Sequence, residues 1–423
     1  MKKWLTYSTG ATLCLMAGGA QALEGITING FLTAGLTYGD HRPIEKNLPS
    51  SGSFGTSNYF PGTTASDAVT QDGNIANRVT FVNDSRFGLQ VSAKINQEID
   101  VTGQLLARAK DEDSNLKADW AFLTYHASDS TALRMGKLKL TTFLVSDYIE
   151  VGFAYPWIRP PQEVYGANAI TAFNGADMLY KLNFGDSSFL FQPYFGQSKG
   201  ASALVPQEMV GMMPGSYNGA GFAPATLGTV MYAKFTVDHM YGLNTSFGND
   251  IYTVRAGYLH ALMAQPGFFT DQAGTFTTVG GTMDWNNVVI YSEYFLRKID
   301  GMANIGFPNQ KGYYTTFGYR IGKFLPHLTY SKIGDNKNPV GIIPSGEAGG
   351  NGMMMYGTPT VQDSYTLGLR YELGSGAALK FEAQQIKPKA GTRGMLIADP
   401  NGAYTKDRSE SVMIYGLAVD LVF

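Results

Sequence analysis

Polar or small side chains, with a charge among them, recur at every second position of otherwise apolar segments. Lys94, Arg108, Arg134, Lys181, Arg255, Arg320, Arg370 and Lys380 each alternate with aliphatic or aromatic neighbours. In an extended chain that spacing puts the charges on one face and the oily groups on the other. A single long connection, residues 140 to 170, brings Asp147, Glu150, Arg159 and Glu163 together with Phe153, Tyr155 and Trp157. If the basic faces line one cavity and this connection enters it, opposed charges create a transverse field that orients dipolar solutes and sorts ions. Asp147, Glu150, Arg159, Glu163, Arg108 and Arg134 are the candidate constriction residues, with Asp147 and Glu150 facing Arg108 and Arg134. Lys94, Lys181, Arg255, Arg320, Arg370 and Lys380 are the remaining luminal candidates.

Other chemistries find less support. The histidines are His41, His126, His239, His260 and His327, with no pair at the two-in-five spacing of a helical zinc site. Serines and carboxylates are plentiful without a catalytic arrangement, so the reading is no enzyme, no metal and no cofactor. Lysine plus arginine (32) nearly balances aspartate plus glutamate (34), and the basic residues are dispersed rather than gathered on one patch. Nucleic acid is therefore not an expected partner.

The elements that must position these charges are strands. Residues 86 to 96 set Phe87, Leu89, Val91, Ala93 and Ile95 against Gly88, Gln90, Ser92, Lys94 and Asn96; residues 362 to 373 set Tyr365, Leu367, Leu369 and Tyr371 against Thr366, Gly368, Arg370 and Glu372. The same pattern places strands at 25–38, 99–109, 117–127, 130–139, 172–184, 188–198, 228–247, 251–262, 276–285, 288–298, 312–321, 324–333, 377–387 and 410–423, sixteen in all. Eighteen is the competing count. The segment 228–247 could break at Asp238-His239, but an even number with both ends on one side favours a single long strand. Short joins near 97–99, 128–129, 185–187, 248–250, 286–287, 322–323 and 374–376 alternate with long ones near 39–78, 140–170, 199–227, 263–275, 299–311, 334–361 and 388–409. The short 110–116 lies among the long set.

Composition and termini give this sheet a solvent. Hydrophobic residues are 44% and charged residues only 16%, with 25 Tyr and 25 Phe, where a soluble domain carries about a quarter charged. No later window reaches the roughly eighteen apolar residues of a spanning helix. A closed β-barrel is the other structure that satisfies its backbone in lipid. Lys2-Lys3, an apolar core from Leu5 to Ala20 and Ala20-Gln21-Ala22 read as a secretory signal over residues 1–22, leaving 423 − 22 = 401 residues, a charge near −4 and no cysteine, since Cys14 falls inside the signal. Residues 23–423 then form one barrel domain. Tyr125, Tyr194, Tyr258, Tyr294, Tyr319, Tyr330 and Tyr371 are expected interfacial anchors, and Trp120 a luminal packing residue.

The signal end Ala20-Gln21-Ala22, the alternating hairpins, the enlarged third outer connection and the terminal Phe423 together resemble the general and substrate-selective porins of Gram-negative bacteria. The resemblance implies an all-β, multi-pass, antiparallel barrel in the cell outer membrane, in contact with lipid and lipopolysaccharide, assembled as a homotrimer. It implies a water-filled channel for passive diffusion of small hydrophilic solutes or ions, narrowed by the third connection. The long first connection, rich in Gly, Ser, Thr and Asn, and the Met-rich stretches at 209–213 and 353–355 depart from the plainest pattern. Two alternatives stay open: a selective channel for less polar molecules, and a structural or adhesive barrel with a plugged lumen. Residues 140–170 packed outside the barrel, against other loops or a neighbouring subunit, would remove the constriction.

Overall fold

The structure is a computed structural model that describes residues 25–39, 79–81, 83–109, 116–168, 170–204, 232–265, 269–301, 309–335, 340–342, 354–356, 361–389 and 411–423. The expected signal, most of the first long connection and Met209, Met212, Met213 and Met353 lie outside these residues. Sixteen strands form the wall: β1 Ile26–Gly39, β2 Arg86–Lys94, β3 Ile99–Arg108, β4 Lys117–Ser128, β5 Thr131–Lys139, β6 Ala172–Phe184, β7 Ser187–Leu204 and β8 Tyr232–Gly248. They continue as β9 Tyr252–Gln265, β10 Phe269–Trp285, β11 Val288–Ile299, β12 Gln310–Tyr319, β13 Phe324–Asp335, β14 Gln362–Gly374, β15 Ala377–Pro388 and β16 Val412–Val422. Each pairs antiparallel with the next.

The ring closes where β1 runs against β16, from Phe31 opposite Val422 to Gly39 opposite Ile414. Closure leaves no unpaired sheet edge, as a backbone in hydrocarbon requires. Gly30 N donates to Phe423 O at 2.7 Å and Phe423 N to Gly30 O at 3.0 Å, so pairing extends through the last residue. Above the start of β2, the two-residue strand Val79–Thr80 takes over the β1 edge.

The tight joins follow their turn chemistry. Asn286 and Asn287 both have positive φ, 46° and 71°, the conformation of a two-residue hairpin whose twist matches its strands. At Asp238 the sequence offers a turn and the structure makes a bulge instead. His239 faces Leu262 and Val237 faces Met263, so Asp238 is the extra residue in one unbroken β8. Two strands run further outward than alternation suggested. β7 continues to Leu204 and β10 starts at Phe269, leaving only 266–268 between β9 and β10 in place of the long connection expected there.

The two faces of the wall want different surroundings. Met135, Phe195 and Leu367 on the outside are each more than 60% exposed, an arrangement that water penalises and acyl chains accept. Inside, one side of the wall is polar and the other apolar. Phe235, Val237, Met240, Leu259, Met263, Phe276, Phe295, Tyr314 and Ile333 on β8–β13 form a buried cluster with the inward segment. Tyr194 belongs to that interior rather than to the lipid interface: it is buried, and its hydroxyl donates to Tyr258 O at 3.2 Å. Trp120 also points inward, edge-on to Phe122.

A candidate constriction inside the barrel

Residues 140–171 leave β5 and return to β6 through the interior of the barrel. Leu140 N donates to Thr171 O at 2.9 Å and ties the two ends of the segment together. Between them the chain makes two 3₁₀ turns, Ser146–Tyr148 and Gly152–Ala154, then an extended run through Pro156, Pro160 and Pro161 and a single helical turn, Gln162–Tyr165. The prolines fix φ and remove amide donors, which keeps 155–161 out of any strand. A chain without a regular ladder inside a protein must find partners for its backbone elsewhere.

The barrel wall supplies them, largely through cations. Arg255 donates to Thr141 O and Phe143 O at 2.8 and 3.1 Å, and Arg86 Nε to Glu150 O at 2.7 Å. Lys380 Nζ donates to Gly152 O and Trp157 O at 2.6 and 2.7 Å, and Arg370 to Phe153 O and Tyr155 O at 2.5 and 3.0 Å. Arg297 reaches Ala167 O at 2.5 Å. Amides of the segment find carboxylates: Leu144 N donates to Glu293 and Ile158 N to Glu382, at 2.7 and 2.9 Å.

Packing complements these ties. Trp157 is buried against Tyr291 and Tyr314, and its indole N–H donates to the hydroxyls of Thr316 and Thr329 at 3.0 and 3.1 Å. Phe143 stands edge-on to Phe276 and Phe295, with ring centroids 5.5 and 6.3 Å away. At Gly152 the backbone approaches the wall so closely that a Cβ would overlap the Asp420 carboxylate and Thr33 Oγ1. Only glycine fits without displacement.

The candidate residues divide by partner. Glu150 accepts directly from the Arg108 guanidinium, Nε standing 3.3 Å from Oε2, and Lys139 Nζ lies 3.9 Å from the same carboxylate. Burial alone would raise the Glu150 carboxyl, but Arg108, Lys139 and Arg86 outweigh it and hold it at about 2. Sequence placed Glu150 across a gap from Arg108; the two touch. Arg134 acts on Asp147 of the segment only from a distance, and its ion pair lies within the wall. It holds Asp177 on the neighbouring strand at 2.9 and 2.5 Å and lies over the Phe122 ring. Asp147 is half-buried, 3.9 Å from Arg255, and burial pushes its carboxyl up against the pull of Arg255 and Arg134.

Arg159 grips Asp84 at 2.6 Å and also reaches Thr37. Glu163 is fully buried and accepts from Ser331, Gln362 and Ser364, joining the helical turn to β13 and β14. Lys380 pairs with Asp420 at 2.8 Å and Arg370 with Glu372 at 2.7 Å, in addition to their carbonyl contacts. Lys94, Lys181 and Arg320 lie on luminal registers near the tight-turn end, away from the segment. Lys94 is exposed, Lys181 half-buried, and Arg320 pairs with Asp284 at 2.7 and 2.8 Å. Sequence reasoning missed Arg86, Lys139, Asp84, Glu293, Arg297 and Asp420. Arg86 and Arg297 sit on the same inward parity as Arg108 and Arg255, and that parity was the available signal.

A sixteen-stranded barrel with polar and charged groups inside, an apolar exterior and an inward-folded third long connection fixes the comparison. A family model described as Gram-negative porin matches residues 9–391. The chain belongs to the Gram-negative porin family. No curated protein sequence matches it. This porin is similar in fold to an anion-selective porin from Comamonas acidovorans, at 14% identity, with 94% of this chain and 99% of that one covered and a TM-score of 0.53. It is similar to the outer membrane channel DcaP of Acinetobacter baumannii, at 12% identity, 96% and 99% covered, TM-score 0.52. OmpT of Vibrio cholerae, folded in vitro and in trimer form, matches at 12% identity, 94% and 99% covered, TM-score 0.50. The porin is an outer-membrane, multi-pass β-barrel of channel type.

Proposed function

We propose that this porin conducts small hydrophilic solutes and ions passively, and that passage is limited where residues 149–159 meet the basic wall of β1–β3 and β14–β16. The observation that carries this reading is the segment's asymmetric seat. Its apolar side chains, Phe143, Val145, Trp157, Val164 and Tyr165, face the aromatic wall. Its polar margin, Glu150, Gly152 and Arg159, meets Arg86, Arg108, Lys380 and Asp84. Water and ions follow the polar seam, since leaving water for the apolar side costs far more. Planar-bilayer conductance and liposome swelling of the purified, folded barrel test the proposal. Steps of ion current with swelling in small sugars are expected; neither signal over a broad voltage range would reject it.

A second reading, a plugged barrel that presents its outer connections, draws on the breadth of the contacts: the segment bonds to strands from β1 to β3 and from β7 to β15 and comes close to β16 at Gly152. The same two measurements separate it from the first. We further propose a homotrimer, supported by the exposed apolar exterior and by the trimer form of OmpT. Mass in mild detergent, corrected for bound detergent, decides it; a single-barrel mass at every concentration would overturn the trimer.

A further inference from the structure

One carboxylate on the polar margin of the segment has no cation of its own. Arg159 pairs with Asp84, Lys380 with Asp420 and Arg370 with Glu372, at 2.6, 2.8 and 2.7 Å, and Arg108 pairs with Glu150. Glu382 on β15 stands among them with no ion pair to a described residue, and Arg159 and Lys380 act on it only from a distance. Arg86, the cation that could balance it, is on β2, three strands away across β16 and β1, and directs its donors to Glu150 O and Tyr155 Oη.

The Glu382 side chain is also half-used as an acceptor. Its residue is only 8% exposed, and Oε1 accepts from Ile158 N at 2.9 Å, whereas Oε2 has no donor among the described residues. At its own level the wall offers none, because its neighbours on β14 and β16 are Gly368 and Gly416. The imidazole of His327, which fills the space beside Gly368, is not bonded to it. One step along the same inward face, Gln384 stands opposite Thr366, and neither side chain is hydrogen-bonded to a described residue. Glu382, Gln384 and Thr366 line a cavity of about 10 Å³ beside Trp157, Pro160 and Pro161. Such a space holds one water-sized group.

A buried carboxylate is costly unless it is both paired and hydrogen-bonded. The cavity therefore calls for a small cation that donates. A primary ammonium brings one positive charge and three N–H donors, matching the carboxylate oxygen, the Gln384 carbonyl and the Thr366 hydroxyl in number and sign. The prolines and the indole suit the methylene that follows it. We propose that this cavity is a binding station for the primary ammonium group of small amine solutes, with Glu382 supplying the charge and Gln384 and Thr366 the other two acceptors. Its role in passage rests on the seam being the solute route, while binding itself does not require the route.

Saturation-transfer NMR of methylammonium with the full-length, folded porin in detergent at about pH 8 tests the site. Tetramethylammonium, with the same charge and no N–H, is the control. Methylammonium should give a saturable signal and tetramethylammonium a far weaker one. A hydrogen bond to a charged group is worth roughly tenfold or more in affinity. Glu382→Gln, whose amide oxygen can still accept from Ile158 N, should raise the half-saturation concentration by at least that factor. Gln384→Leu keeps the charge and should raise it about fivefold; it carries the test alone should Glu382→Gln fail to fold by circular dichroism. Equal half-saturation in the parent and the folded variants, or equal binding of the two cations, would overturn the proposal, and a cavity that takes only water gives no saturable signal at all. Planar-bilayer currents in methylammonium chloride separate site from route. Saturable binding without current at any voltage keeps the site and rejects the seam as the route; current without saturable binding keeps the route and rejects the site.

Discussion

Replacing Glu150 by Gln is the sharpest perturbation of the proposed seam. Glu150 is the acidic group that Arg108, Lys139 and Arg86 share, so neutralising it adds one net positive charge where the segment meets the wall. An ion passing about 6 Å away feels about 0.7 kcal/mol from one charge at the dielectric of water, and more where the protein lowers it. Cations and anions shift in opposite senses, so their permeability ratio should move by about 1.4 kcal/mol, or tenfold, toward anions at low salt. Arg108→Gln should move the ratio toward cations by a similar factor. Losing one member of a buried pair also weakens the tie by roughly 3–5 kcal/mol, so open-channel noise should rise in both single variants. The double variant restores charge balance and should return the ratio close to the parent's. Reversal potentials across a potassium chloride gradient read these outcomes directly. An unchanged ratio in both single variants would place the pair outside the limiting aperture and refute the seam as the route.

Four further outcomes follow from the same geometry. Asp147→Asn should shift selectivity toward anions by less than Glu150→Gln, because Asp147 is partly open to water and 3.9 Å from Arg255; reversal potentials check the ranking. The Glu150 carboxyl is held at about 2, below the ordinary value of about 4.3, so its contribution to stability is complete above that ordinary value and disappears as pH falls through about 2. The melting difference between parent and Glu150→Gln should accordingly shrink between pH 4.5 and 2, and a constant difference would contradict the pairing. Trp157→Ala removes a buried ring and two hydroxyl contacts, a loss of about 3–5 kcal/mol, and should lower thermal stability while raising single-channel conductance. Gly152→Ala should disturb the segment rather than the wall, changing conductance noise with little change in strand content by circular dichroism.

The wall was legible in the sequence because its signal is repeated. Alternation needs only two solvents on two faces, and each of the sixteen strands carries its own copy. Asp238 shows the limit of that signal: a polar pair in mid-strand reads as a turn, while the ladder on both sides absorbs one extra residue as a bulge. Tyr194 shows another. Its ring has the composition of an interfacial anchor, but Leu190 and Gln192 share its inward parity and are buried with it, so register outweighs residue type. The path of residues 140–171 had no comparable periodicity. Pro156, Pro160 and Pro161 excluded a strand there, and nothing in their spacing specified which wall residues would receive the exposed carbonyls.

Those carbonyls explain why luminal cations carry two meanings. A segment folded into a barrel brings backbone acceptors that neither helix nor sheet satisfies, and a buried acceptor without a donor costs about 1–3 kcal/mol. Arg and Lys are well suited to supply donors there, since their long stems reach across the gap and each offers several N–H groups. Arg255, Arg370 and Lys380 each donate to two carbonyls of the segment. A carbonyl accepts a hydrogen bond without neutralising the ion, so what offsets their field is the carboxylate beside each one, Asp420 for Lys380, Glu372 for Arg370 and Asp147 for Arg255. Arg86 likewise donates to Glu150 O and Tyr155 Oη. The groups that hold the segment in place therefore also set the potential along its polar margin. A Lys380→Met variant separates the two roles from one side: it should release Gly152 and Trp157 and remove a charge together. Lys380→Arg keeps the charge while changing the reach to both carbonyls. If Arg preserves the permeability ratio but raises channel noise, holding and selecting are distinct duties of one residue; equal noise in Arg and the parent would mean that the segment does not depend on Lys380 to stay seated.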